Sequence, residues 1–207
     1  MNDFSAAAPR ERIEKAMAAL RANGIDAVFA RDAAAAKDTV LELIPAGAEV
    51  MTMTSVTVDS IGLGKALNEG GRFDAVKPRL SSMDPKTRGR EMRKYGAAPD
   101  VAVGSVHALT EEGHLVIASL TGSQLPAYAY GSAKVIWVVG ANKIVRDLEE
   151  GIRRVEDYVL PRESARARAA YGLPDSFHSY PSKILLIRRE VQPGRAVVVV
   201  VGESLGF

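Results

Sequence analysis

Five consecutive valines occupy residues 197–201, and they restrict the fold more than any other feature of the chain. A run of β-branched apolar residues with no polar alternation cannot keep one face in water, so it reads as a strand covered on both faces. Such a strand belongs inside a sheet or under a partner, not at a solvated edge. The rest of the sequence must therefore supply layers to cover it.

It does so by alternation of helical and strand patterns. Ile13, Met17 and Leu20 recur at helical spacing behind Pro9, which suits a first turn, and Asn23-Gly24 stops that helix. Residues 25–30 follow as a strand, and Asp32 is placed to cap an alanine-rich helix running to about residue 44. Residues 49–53 form the next strand, after which Thr54, Ser55 or Thr57 caps a helix carrying Val58, Ile61 and Leu67. Gly62 and Gly64 lie inside that helix and lack the third glycine of a dinucleotide fingerprint, so their expected role is to let the helix lie close on the sheet. Residues 73–76 suit a short edge strand. Asp84-Pro85 starts a polar, basic helix within 81–95, read first as a solvated face and second as a face for an anion or a partner.

Three apolar runs, 101–103, 115–117 and 135–139, then break off into small and polar residues, with a helix over 123–130 joining the last two. An amphipathic helix continues from Lys143 to about Tyr158, where Leu160-Pro161 is expected to break it before a charged helix over 162–171. Residues 183–190 and 195–202, separated by Val191-Gln192-Pro193-Gly194, read as a C-terminal antiparallel hairpin. The class is α/β with a mainly parallel sheet. No repeat or composition break divides the chain, so one domain is expected over 1–207, with the helical segment 9–22 packed on it.

Composition narrows the function by exclusion. The 207 residues are 47% hydrophobic and 25% charged, which is the balance of a globular chain with a full core. Net charge is +2 with both signs interspersed, so no nucleic-acid footprint is present. With no cysteine, the chain supplies no thiolate for an iron–sulfur cluster or a cysteine zinc site, and the sequence singles out no cofactor. The three histidines show no metal-binding spacing, so no metal site is expected either. No segment approaches the about 20 apolar residues of a membrane span and no signal peptide is legible, so the expected location is cytoplasmic without membrane insertion.

The candidate site lies where the apolar runs end. In an open parallel sheet, ligands bind beyond the carboxyl ends of the strands. The residues expected to converge there are Thr54, Ser55, Gly104, Ser105, Thr110, Gly113, Gly122, Ser123, Gln124, Asn142 and Lys143. Hydroxyls, glycines, amides and one lysine suit a small anionic ligand such as a carboxylate or phosphate. Lys143 follows a buried strand and is expected at the site mouth or in a buried pair, with helix capping or contact with a neighbouring chain as alternatives. His107 suits a structural hydrogen bond as well as a site role.

Residues 104–113 (GSVHALTEEG), 121–124 (TGSQ), 138–148 (VVGANKIVRDL) and the closing Leu205-Gly206-Phe207 resemble the LUD domain, the lactate-utilisation family that includes the C protein of bacterial lactate-utilisation operons. The resemblance covers nearly the whole chain. It implies a three-layer, Rossmann-like α/β fold similar to sugar-phosphate isomerases and coenzyme A transferases. It also implies a link to oxidation of lactate to pyruvate, with iron–sulfur proteins as partners. Some relatives carry a cysteine-rich segment where this chain has Phe177-His178-Ser179-Tyr180, so any metal role of those cysteines is absent here. By similarity to coenzyme A transferases, Thr110-Glu111-Glu112-Gly113 offers Glu111 as a covalent carboxylate nucleophile, with His107 or Lys143 supplying positive charge; the bland reading makes Glu111 a turn residue. Three readings follow: an anion-binding component of organic-acid metabolism, an acyl-transfer or sugar-phosphate isomerase enzyme, and an assembly subunit docking through its terminal hairpin and basic helix. A homodimer through the apolar terminal strand is a further expectation.

Overall fold

A computed structural model describes residues 3–207. Six strands form one wholly parallel sheet in the order β1 (Asp26–Ala30), β10 (Ala196–Val201), β7 (Lys134–Gly140), β4 (Val101–Gly104), β2 (Glu49–Thr52) and β3 (Asp74–Ala75). The five valines run between β1 and β7, with Val198 paired to Ala27 on one side and Trp137 on the other. Their side chains alternate between two cores. Val198 and Val200 join Trp137 and helix α1 (Arg10–Ala22), while Val197, Val199 and Val201 join α2 (Ala33–Leu43) and the helices after β2. Both faces are covered, as the unbroken apolar run requires.

The second face of the large sheet is covered by α1 together with a smaller sheet, ordered β8 (Ile144–Val145), β5 (Ala108–Thr110), β6 (Leu115–Ser119) and β9 (Lys183–Ile187). In this sheet β5 and β8 are parallel, and β6 runs antiparallel to both β5 and β9. Its inner face contributes Leu109, Leu115 and Ile117 to the core shared with Trp137; its outer face, with Ala108 and Val116, packs on Val155. The α/β class with a mainly parallel, Rossmann-like sheet therefore holds.

The expected terminal hairpin does not form. β9 pairs with β6 in the small sheet, whereas β10 lies inside the large one. Pro193-Gly194 does turn the chain, but each strand pairs with partners far away in sequence. Both edges of the valine strand are thus filled by the chain's own β1 and β7, which removes it as a dimer contact.

Helix boundaries differ at several places: the helix expected over 123–130 is a π-helical turn, Ala127–Gly131, and the one expected after Lys143 begins only at Leu148, because Ile144–Val145 form β8. The helix expected after β2 splits into α3 (Val56–Ser60) and α4 (Leu63–Glu69) because Gly62 adopts a left-handed conformation, φ 67°. Gly62 thus breaks the helix, and Gly64, inside α4, faces the Asp59 side chain, where a Cβ would stand 2.6 Å from its carboxylate oxygen. Leu160-Pro161 does not end a helix. α7 (Leu148–Arg154) passes through a π-helical turn, Val155–Val159, directly into α8 (Leu160–Tyr171). The widened turn accommodates a proline whose amide could not have served a regular ladder. α5 (Val76–Ser81) follows β3 directly, and the basic stretch forms α6 (Pro85–Ala97), capped by Asp84. No helix among the described residues is long and apolar enough to cross a membrane.

Candidate functional site

The parallel strands β2, β4 and β7 end side by side, and the segments leaving them line a cleft of about 500 Å³. After β2 the chain contributes Thr54, Ser55 and Thr57; after β4, Ser105 and His107; after β7, Lys143. The end of β6 adds Ser119, Thr121, Ser123 and Gln124, and Tyr128 closes the inner wall.

Lys143 is the centre of this floor. Its ammonium-bearing chain is 2% exposed, and Nζ lies 2.8 Å from Thr57 Oγ1, 3.0 Å from Ser105 Oγ and 3.1 Å from the Val106 carbonyl. Ser105 donates its own proton to the Val138 carbonyl at 2.7 Å, so toward Lys143 it is an acceptor. No carboxylate pairs with Lys143 among the described residues. Burial, and secondarily the charge of Arg154, holds the amine well below its ordinary range.

Arg154 reinforces the positive floor from behind. It is fully buried, donates through Nε to the Asn142 carbonyl at 3.3 Å and through Nη1 to the His107 carbonyl, and leaves Nη2 without a partner. Burial lowers it to about 10. Two neighbouring cationic side chains without a paired carboxylate make the floor electropositive, which favours an anionic guest. His107 is correspondingly neutral: burial first, then Lys143 and Arg154, push it down to about 3. Its Nδ1 accepts from the Ala118 amide at 3.1 Å, which assigns the proton to Nε2 and makes that nitrogen a donor. At the rim, Arg166 is tied by a two-pronged pair to Glu163, 2.7 Å on each prong, and contributes little net charge.

Tyr128 owes its position to four features. Residues Ala127–Gly131 form a π-helical turn, and buried Arg195 donates to the Tyr128 carbonyl at 3.0 Å and to the Ala127 carbonyl at 3.4 Å. The ring packs edge-on to Trp137 at 5.4 Å. Its hydroxyl reaches β4 only because residue 104 is glycine: a Cβ there would stand 1.8 Å from the oxygen.

Of the residues expected at the site, Thr54, Ser55, Ser105, His107, Ser123, Gln124 and Lys143 meet in the cleft. Gly104 lies beneath Tyr128, and Gly122 forms the turn that donates to Ser119 Oγ at 2.8 Å. Asn142 turns the other way: its side chain brackets Leu205 and Gly206 at 3.1 Å each, and so seats the segment carrying Phe207 into the cleft wall. Thr110, Glu111 and Gly113 lie in the β5–β6 turn against α1. There Glu111 accepts from Arg12 and, at 2.7 Å, from Lys15, and it borders a different cavity. These contacts, Lys15 foremost, hold its carboxyl below the usual range. Thr57 was foreseen only as a cap, and Tyr128, Ser119, Arg154, Glu163 and Arg166 not at all. The Ala-Tyr-Ala-Tyr-Gly stretch carries no sign of a π turn, and nothing distinguishes buried Arg154 from solvated Arg153 next to it. Among the described residues no group of three or more His, Asp or Glu side chains converges as a metal site.

The sequence model of the LUD domain matches residues 13–201. In structure, the chain is similar to a DUF162 family protein from Deinococcus radiodurans, with a TM-score of 0.56 at 14% identity, over 92% of this chain and 96% of that one. That likeness concerns the fold. No curated protein matches in sequence.

Proposed function

The chain belongs to the LUD domain family, and from that membership together with the Lys143 cleft we propose that it is a cytoplasmic component of bacterial lactate or related organic-acid utilisation, binding a small carboxylate at the carboxyl ends of β2, β4 and β7. The observation that carries this reading is Lys143 itself, buried at the cleft floor, cradled by neutral acceptors and lacking a carboxylate partner. A guest carboxylate supplies the missing counter-charge, and His107, whose Nδ1 already accepts from the Ala118 amide, offers its Nε2 proton as a further donor in the cleft lining. Burial holds the amine low, and an arriving anion favours its protonated form. Iron–sulfur oxidation proteins, implied by the family, are the proposed partners. The position of Glu111 outside the cleft lends no support to acyl transfer through that residue.

Calorimetric titration and thermal unfolding with lactate, pyruvate, sugar phosphates and coenzyme A esters test the reading. A carboxylate at one hundred times its Kd adds about 2.7 kcal/mol of stability. Lys143→Met should remove that gain. Silence across the panel, or equal stabilisation of wild type and variant, would sink it.

A further inference from the structure

We infer that the cleft accepts an amphipathic organic acid: a carboxylate head at Lys143 and an apolar, ring-bearing body extending outward between α8 and the strap formed by residues 172–182. The inference rests on the anion reading of Lys143 and adds what the remainder of the cleft is for.

Size comes first. A volume of about 500 Å³ lies within the roughly 300–1,000 Å³ of clefts that enclose ligands of drug size. A three-carbon hydroxy acid leaves most of that space unfilled, whereas pockets of this class enclose ligands several times larger.

The lining carries contacts for both parts of such a ligand. At the floor, Lys143 and Thr57 are 2% and 1% exposed, and Lys143 is hydrogen-bonded to Thr57 and Ser105. Nearer the surface the lining adds Leu120, Leu173, Phe177, Tyr171 and Tyr180, beside the exposed hydroxyls of Thr121 and Ser123. Tyr171 and Tyr180 are 64% and 62% exposed, a concentration of uncovered ring surface at one opening.

Charge sets the orientation. The mouth pair Glu163 and Arg166 neutralise one another through both prongs, so the uncompensated charge lies at the floor. A carboxylate therefore enters first and its carbon body remains among the rings.

The strap is built to hold that body. It has no helix or strand of its own, and α8 grips its backbone at two points: Arg168 Nη1 donates to the Phe177 carbonyl at 2.9 Å, and the Ser179 amide donates to Ser164 Oγ at 2.9 Å. The backbone is thereby anchored, and Leu173, Phe177 and Tyr180 line the cleft where a guest's carbon body would lie.

Titration of the whole chain with lactate, phenyllactate and the neutral alcohol 2-phenylethanol separates the two parts of this reading. Phenyllactate is expected to bind at least about tenfold more tightly than lactate, because its ring is withdrawn from water. It should also exceed 2-phenylethanol by at least about tenfold, because only the acid meets Lys143. In Phe177→Ala, whose strap is still anchored through backbone atoms, the ratio of phenyllactate to lactate affinity should fall by about threefold or more. Equal affinity for lactate and phenyllactate would overturn the apolar half and leave the anion reading standing. Binding of 2-phenylethanol as tight as phenyllactate would overturn the anion reading beneath it. An unchanged ratio in Phe177→Ala would remove the strap as the tail's contact and with it the inference as stated.

Discussion

Lys143 Nζ and Thr57 Oγ1, 86 positions apart in the chain, meet at 2.8 Å beneath the ends of three parallel strands. Thr57 in turn donates to the Leu205 carbonyl at 3.2 Å, so a single hydroxyl joins the segments after β2, β7 and β10. An amine held by acceptors alone has its donors satisfied and its charge uncompensated, which is a poor arrangement for stability and a suitable one for capturing an anion.

Lys143→Met follows directly from that contact. Losing the hydrogen bonds costs about 1 kcal/mol each, but the buried amine no longer has to be desolvated. Urea unfolding should therefore place the variant within about 1–2 kcal/mol of wild type, while carboxylate affinity drops by at least about tenfold. A collapsed fold would identify Lys143 as a structural pin.

Acid should destabilise the protein through His107. Its folded value is about 3 against an ordinary 6.5, so between those limits the unfolded chain binds the extra proton and stability falls as pH is lowered from 6.5 toward 3. The full shift corresponds to at most about 5 kcal/mol, reduced to the extent that water in the cleft reaches the ring. Unfolding free energies measured across this window should slope less steeply in His107→Gln. Parallel slopes in the two proteins would place the acid sensitivity elsewhere.

Glu111→Gln should leave the cleft untouched. The carboxylate joins the β5–β6 turn to Arg12 and Lys15 on α1, and Lys15 is 65% exposed, so water screens much of the pair. A loss of about 1 kcal/mol or less is expected, with ligand affinity unchanged. Since this carboxyl is held low in the folded state, its contribution is present above its unfolded value and fades as pH falls through the folded one. Loss of ligand binding in this variant would bring Glu111 back into the functional machinery.

Gly104→Ala should cost about 1–3 kcal/mol by forcing Tyr128 out of its seat. Adding Tyr128→Phe removes the colliding oxygen and should recover part of that loss. A thermodynamic cycle with no coupling between the two substitutions would refute the contact as the cause.

Much of the candidate site was legible because parallel strands share a direction. Apolar runs that end in hydroxyls and a lysine, as at Thr54, Ser105 and Lys143, place those groups at one end of the sheet wherever the strands sit in the order. The same reasoning failed for Thr110, Glu111 and Gly113, since β5 is too short to show a burial pattern and β6 runs antiparallel in a separate sheet. It failed for Asn142 as well, whose side chain turns to the chain's last residues, one position before Lys143 enters the cleft.

What the sequence alone determined is that residues 197–201 must be covered on both faces, because five valines leave no side for water. Which strands flank them was decided by the tertiary structure. Backbone amides and carbonyls are alike in every strand, so hydrogen bonding cannot choose between the nearby β9 and the distant β1 and β7; the choice falls to the packing that covers the most apolar surface on both faces at once. The site obeys the same division. The kinds of group at the strand ends are written in the chain, but that Lys143 would meet hydroxyls and no carboxylate emerged only when those ends were brought together.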